Sequence, residues 1–203
     1  KHCESDKSAA DGKPIPLDFI SFHPKGRPKL VDGRVQMGLS AELQAAKQGY
    51  EIVAKFPKYK QTPIILSEAD PEGCAGWSMK VNPANGYRNG PLYPSYTAAA
   101  MKGLIDLENA AGVNLISMLS WSFEFEGKDY FEGFRTLATN GVDKPVLNVF
   151  RMAGLMSGDR VSATSTGAIP LNDIVQNGVR QQADIDAFAT RTSHEAAVMQ
   201  IGR

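Results

Sequence analysis

Short apolar runs alternate with amphipathic stretches along the first three-quarters of the chain. The run Leu17-Asp18-Phe19-Ile20-Ser21-Phe22-His23 predicts a strand over about 17–23. Leu39, Leu43, Ala46, Tyr50 and Val53 then recur at helical spacing. They predict a helix from about Ser40, with Ser40 as N-cap, Glu42 in the first turn and Phe56-Pro57 as the stop. Pro63-Ile64-Ile65-Leu66-Ser67-Glu68 reads as a second strand. Tyr96, Ala100, Gly103, Leu104 and Leu107 mark a helix over 94–111 that Gly112 ends. A third strand is predicted over 114–123. Pro145 suits the first turn of a helix carrying Val146, Phe150, Ala153 and Leu155 as far as Gly158.

Strands alternating with helices imply a parallel sheet. The loops after strands are long and those after helices short; roughly 25 residues separate Glu68 from Tyr93. That asymmetry suits a (β/α) barrel, whose site is built from the loops that follow its strands. Three units are too few to close one, and an open three-stranded piece has two bare edges. After Gly158 the pattern changes. Arg160–Thr166 and Glu195–Ile201 read as strands of a β-type second unit. The expected division is 1–158 and 159–203.

The 42% hydrophobic and 22% charged content is that of an ordinary globular protein. Lys+Arg and Asp+Glu both number 22, so no basic excess points to nucleic acid. No run of about 18 apolar residues exists, so no membrane span is expected. Cys3 and Cys74 are too few for a disulfide scaffold, and His2-Cys3 is too short a cluster for a metal site. No metal and no cofactor are expected.

An Ile-Ile-Leu strand has no structural need for the carboxylate of Glu68 at its end. In parallel α/β enzymes that end is where chemistry sits. The first strand ends on His23, and the third runs into Trp121 and Glu124. Alone, each residue has a bland reading. A strand-end glutamate is often a solvated charge; His23 and Lys25 could be structural, Trp121 core, and Glu124 and Glu126 rim charges sharing one strand face. Arg135 reads as a loop cation outside the site.

Several motifs in order change those odds. They are Asp18-Phe19-Ile20-Ser21-Phe22-His23-Pro24-Lys25-Gly26, Phe56-Pro57-Lys58, Thr62-Pro63-Ile64, Ser67-Glu68-Ala69-Asp70-Pro71, Gly76-Trp77-Ser78, Trp121-Ser122-Phe123-Glu124-Phe125-Glu126 and Lys144-Pro145-Val146-Leu147-Asn148-Val149-Phe150. Over about residues 17–158 the chain resembles the C-terminal part of a family 39 glycoside hydrolase, the family of β-xylosidases and α-L-iduronidases. The resemblance implies that the three strands are strands six, seven and eight of a (β/α)8 TIM barrel. The tail would open the accessory β-sandwich, truncated here.

It further implies that Glu68 is the nucleophile of a retaining exo-glycosidase. His23 would line the sugar subsite, and Trp121, Glu124 and Glu126 would contact the sugar. Lys25, Asp70, Gly76 and Trp77 follow the iduronidase-like pattern, in which the lysine and the Gly-Trp backbone meet a substrate carboxylate; many xylosidases show a tyrosine near Lys25. The Trp-Ser-Phe-Glu-Phe-Glu-Gly segment and the Lys-Pro-Val-Leu-Asn-Val-Phe-Arg helix resemble bacterial xylosidases. The implied activity is release of terminal xylose from xylo-oligosaccharides. An iduronidase-like activity and a non-catalytic sugar-binding fragment are the alternatives. The family's acid/base glutamate lies in an Asn-Glu pair, which this chain lacks. The expectation is therefore that strands one to five lie upstream, and that the partner of this chain is that N-terminal barrel half, or a second copy in a homo-oligomer.

Overall fold

The computed structural model describes residues 3, 5, 10–180 and 182–202, and His2 lies outside them. The architecture is mixed α/β. Strand β1 (Ile20–Phe22) leads into a hairpin of β2 (Lys29–Val31) and β3 (Arg34–Gln36). Helix α1 (Leu39–Ala54) and a 3-10 turn (Pro57–Tyr59) precede β4 (Pro63–Leu66). A long loop holding a second 3-10 segment (Pro83–Asn89) reaches α2 (Leu92–Ala111), and β5 (Asn114–Met118) follows. Then come the two-residue strands β6 (Ala138–Thr139) and β7 (Val142–Asp143), α3 (Pro145–Leu155), β8 (Asp159–Val161), α4 (Leu171–Asn177), β9 (Ile185–Arg191) and β10 (Ala196–Gly202).

Strands β1, β4 and β5 form a parallel sheet in that order, with Phe22 opposite Leu66 and Leu66 opposite Met118. Each parallel step is made by a helical crossover, as the alternating pattern requires. The apolar stripe of α1 is buried, with Leu43, Ala46 and Tyr50 fully so, and it packs against α2 and α4. Leu43, Ile64, Leu66 and Leu104 are each at most 1% exposed. Each contributes about 1.5–3 kcal/mol by leaving water.

Several expected boundaries shift, each for a physical reason. Helix α1 begins at Leu39, so Ser40 is not its N-cap. Gly38 takes that position at φ 69°, pressed so close to the Arg27 backbone that a Cβ there would lie 2.6 Å from its carbonyl oxygen. Strand β5 stops at Met118 rather than at 123. Beyond it the backbone N–H groups find other partners: Leu119 donates to the Leu66 carbonyl, Trp121 to the Asp70 carboxylate and Phe123 to the Arg135 carbonyl. Helix α3 buries Val146 and Val149, while Leu155, expected in its apolar stripe, is 76% exposed.

The tail strand expected over 160–166 is only Asp159–Val161, and α4 and β9 were not anticipated. Strands β8, β9 and β10 make an antiparallel sheet with β9 at its centre. Ile174 and Val175 of α4, and Met199 and Ile201 of β10, join the same core cluster as α1 and α2. Lys102 of α2 pairs with Asp186 of β9 at 2.9 Å. No described helix is long and apolar enough to cross a membrane.

Because Ile201 is 2% exposed within that shared core, Ile201→Ala should cost about 2–5 kcal/mol. The check is urea unfolding followed by circular dichroism and by fluorescence of Trp77 and Trp121. Both curves should shift together; a fluorescence midpoint that stays put would show that the tail sheet unfolds independently of the parallel sheet.

Candidate active site

The polar groups that follow β1, β4 and β5 converge on Asp70. The loop after β1 crosses the loop after β4, where Lys25 bridges Asp70 in parallel fashion and Gly26 N–H donates to the Asp70 carbonyl at 3.0 Å. This crossing requires a glycine: a Cβ on Gly26 would sit 2.7 Å from the Pro71 carbonyl oxygen and would collide with the Tyr96 hydroxyl. On the other side, Ala69 N–H donates to the Leu119 carbonyl at 2.8 Å. The three chain segments therefore stay laced together past the ends of the strands.

The Asp70 carboxylate is fully buried. Its Oδ1 accepts from Ser120 Oγ at 2.6 Å and from Trp121 N–H at 3.0 Å, and its Oδ2 accepts from Lys25 Nζ at 2.7 Å. Arg135 Nη2 stands 3.4 Å from Oδ2, near enough for charge attraction but without hydrogen-bond geometry. Lys25 Nζ is shared: it also donates to Glu68 Oε2 at 2.7 Å. His23 Nδ1 lies 3.6 Å from the other Glu68 oxygen. Glu68 retains 20% side-chain exposure. The hydrogen bond from Lys25 holds its carboxyl below the usual range; desolvation opposes it, and the charges of Lys25, His23 and Arg135 add to the lowering. Glu68 is thus an ionised, reachable carboxylate with a single hydrogen-bond donor among the described residues, suited to act as nucleophile or base.

Trp77 and Trp121 are half-exposed, 52% and 48%. Trp121 meets Phe123 edge-on, with centroids 4.7 Å apart. The Trp77 carbonyl accepts from Arg88 and Asn85, which fixes its turn. Glu124 and Glu126 do not share a strand face, because no strand extends that far; both are exposed. They line a groove of about 260 Å³ that includes Lys128, Asp129 and Lys144 but none of His23, Lys25, Glu68 or Asp70. Burial pushes the Lys144 ammonium down to about 8, and it donates to the Phe134 carbonyl at 2.8 Å. Among the described residues no cluster of His, Cys, Asp and Glu could hold a metal ion.

The supporting charges are where sequence reasoning fell short. Arg135 does lie in a loop, but it is fully buried beside the site, and its guanidinium donates to the Trp121 carbonyl at 2.8 Å and to the Glu72 carbonyl. Arg88 is also fully buried. It donates to Glu72 Oε1 at 2.6 Å and to the carbonyls of Cys74, Trp77 and Gly133. Glu72 also accepts from Cys74 N–H and the Tyr87 hydroxyl. Desolvation works against its ionised form, but Arg88 and Arg135 outweigh it and hold the carboxyl below its usual range. Under the site, Glu42 of α1 is fully buried and accepts from the Tyr96 hydroxyl. Desolvation dominates there, raising Glu42 to about 8.

Residues 1–198 match glycosyl hydrolases family 39. No curated protein matches the chain.

Two outcomes follow from the buried charges. Arg88→Met leaves Glu72 in a site without its main partner, so it should cost about 3–5 kcal/mol in urea unfolding; a cost under about 1 kcal/mol would mean that the pair is solvated. For Glu42 the unfolded value is near 4.5 and the folded one about 8. Below 4.5 both states hold the proton and stability is full. Between the two values only the folded state holds it, so stability should fall by about 1.4 kcal/mol per pH unit and level off above about 8. Unfolding midpoints across this window should slope downward in the native protein and lose that component in Glu42→Gln.

Proposed function

Since the chain belongs to glycosyl hydrolases family 39, and so to a family of glycoside hydrolases, we propose that it carries the nucleophile half of a retaining exo-glycosidase whose substrate is a terminal β-xyloside. The observation that carries this reading is Glu68: ionised, reachable, at the end of β4 and held by Lys25. Glu68 attacks the anomeric carbon, the bond to the leaving oxygen breaks, and a glycosyl ester forms. A second carboxyl, about 5–5.5 Å away in retaining enzymes, protonates the leaving oxygen and then activates water. Asp70 is unsuited to that second role, because it has no exposure and its oxygens are occupied. In this reading the acid is a glutamate outside this chain, and the chain alone is inactive or nearly so.

The same reading takes β1, β4 and β5 as strands six to eight of a (β/α)8 barrel, over residues 1–158, and the antiparallel sheet of 159–203 as the opening of a β-sandwich. The outer edges of β1 and β5 pair with no described strand. Ser21 and Ile116 are exposed on one face, while α1 and α2 help bury Ile64 and Leu66 on the other. A barrel wall has its helices on one side and its interior on the other. The partner that suits such edges is the barrel's N-terminal half.

Around Glu68, His23 and the faces of Trp77 and Trp121 are proposed to receive the sugar, with Glu124 and Glu126 further along the loop after β5. Lys25 favours a neutral sugar over an iduronide. Two of its three N–H donors are spent on Glu68 and Asp70, so its charge is already answered inside the protein.

Trapping the active protein with a 2-fluoro xyloside should place the label on the peptide containing Ser67–Asp70, and Glu68→Ala should abolish it. Label on Glu124 or Glu126 would overturn the assignment of the nucleophile. Hydrolysis should be faster on an aryl β-xyloside than on an aryl iduronide; the reverse order would replace xylose with a uronic acid as the substrate.

A further inference from the structure

Glu42 lies outside the reaction as described, yet it is a fully buried acid directly beneath the crossing that carries Lys25. Its Oε2 accepts from the Tyr96 hydroxyl, and its Oε1 has no hydrogen-bond partner among the described residues. The Tyr96 hydroxyl presses on Gly26, whose N–H is bound to the Asp70 carbonyl. Glu42, Tyr93, Tyr96, Pro71 and Ser120 border a cavity of about 20 Å³, room for one water. The Tyr93 hydroxyl also lacks a geometric hydrogen-bond partner, while Ser120 is the residue whose hydroxyl donates to Asp70. A continuous contact thus runs from Glu42 to the lysine that holds Glu68.

Resting on the glycosidase reading of Glu68, we infer that Glu42 is a positioning residue: kept as a neutral acid, it leaves Lys25 shared between Asp70 and Glu68, and its ionisation loosens Lys25 from the nucleophile. The physical reason is charge. Asp70 and Glu68 share one ammonium at 2.7 Å each. A third carboxylate below that crossing, fully buried, attracts the same ammonium toward the floor and repels Asp70. The groups facing Glu42 are Tyr96 and Tyr93 from α2, Tyr50 from α1 itself, Asp70 and Lys25 from the loops after β4 and β1, and Arg135 from the loop after β5. The residues of helix α4 that share α1's apolar core, Leu171, Ile174 and Val175, are uncharged, and the α4 acid Asp173 is exposed. Burial holds the acid neutral up to about 8, in opposition to the Tyr96 hydrogen bond and the charges of Lys25 and Arg135.

Two readouts test this. In protein carrying 13C-labelled glutamate carboxyls, the Glu68 resonance, assigned by its loss in Glu68→Gln, should show a step as pH rises through about 8. Glu42→Gln should remove the step. Tyr96→Phe, which deletes the hydrogen bond favouring ionised Glu42, should move it to higher pH and serves if Glu42→Gln does not fold. The second readout is inactivation by a 2-fluoro glycosyl fluoride, whose fluoride departs without needing a proton, so the acid group's own titration drops out. The inactivation rate should fall several-fold through the same pH in the native protein and not in Glu42→Gln. No step at Glu68, or a step unmoved by both variants, overturns the inference. A step that behaves as expected in a protein that neither hydrolyses glycosides nor is labelled sustains the coupling of Glu42 to Glu68 and overturns the glycosidase reading instead.

Discussion

A fully buried carboxylate, Asp70, is the constraint on which the site depends. A charge without solvent persists only where donors surround it. Those donors come from separate stretches, Lys25 after β1 and Ser120 with the Trp121 amide after β5, and the Arg135 guanidinium adds charge attraction from 3.4 Å. Satisfying Asp70 therefore fixes where each strand's following loop must begin. The same ammonium that neutralises Asp70 reaches Glu68, so placing the reactive carboxylate is a by-product of burying the inert one. The strands themselves are only three to five residues long. The precision comes from this polar knot rather than from extended pairing.

A second knot does for the long loops what the first does for the strand ends. Glu72 sits between Arg88 and Arg135. Arg88 spends its remaining donors on carbonyls at Cys74, Trp77 and Gly133. Residues 70–91 and 119–144 have little regular structure, so their backbone carbonyls need donors from elsewhere. The planar guanidinium, with five N–H groups on one rigid frame, answers several at once. This is how Gly- and Pro-rich loops can be shaped well enough to present Trp77 and Trp121 half-exposed.

The apolar layers were legible because their information is local. Runs such as Ile64-Ile65-Leu66 and stripes such as Leu39, Leu43, Ala46 and Tyr50 announce strand and helix through spacing alone. Glu68, His23 and Lys25 were legible because polar groups break those runs at their ends, and the structure brings all three together. Arg88, Glu72 and Arg135 gave no such sign. Burial of Arg88 depends on carbonyls 11 to 45 residues away, and nothing in Asn-Gly-Tyr-Arg-Asn-Gly distinguishes it from a solvated arginine. Glu42 did leave a signal that was misread. It satisfies a helix first turn, but it also falls on the buried stripe between Leu39 and Leu43. The strand Ile185–Arg191 was obscured because pairing with a neighbour on each side, not its own pattern, makes it regular, and of the expected run 160–166 only Arg160 and Val161 are strand.

Glu68, Asp70 and Glu72 alternate along one stretch, yet they have three different fates, and donor count separates them. Asp70 accepts three hydrogen bonds and Glu72 accepts from Cys74, Tyr87, Arg88 and Arg135. Both carboxylates are spent on structure, with their lone pairs turned inward. Glu68 accepts one hydrogen bond from the described residues, on Oε2, which leaves Oε1 beside His23 on a side chain that keeps 20% exposure. A carboxylate with too many donors is a poor nucleophile, and one with none at a partly buried position protonates more readily. Glu68 lies between those limits. Three acids stand against Lys25, Arg88 and Arg135, so the knots approach neutrality without a ligand, and what remains for chemistry is the one oxygen that the scaffold does not need.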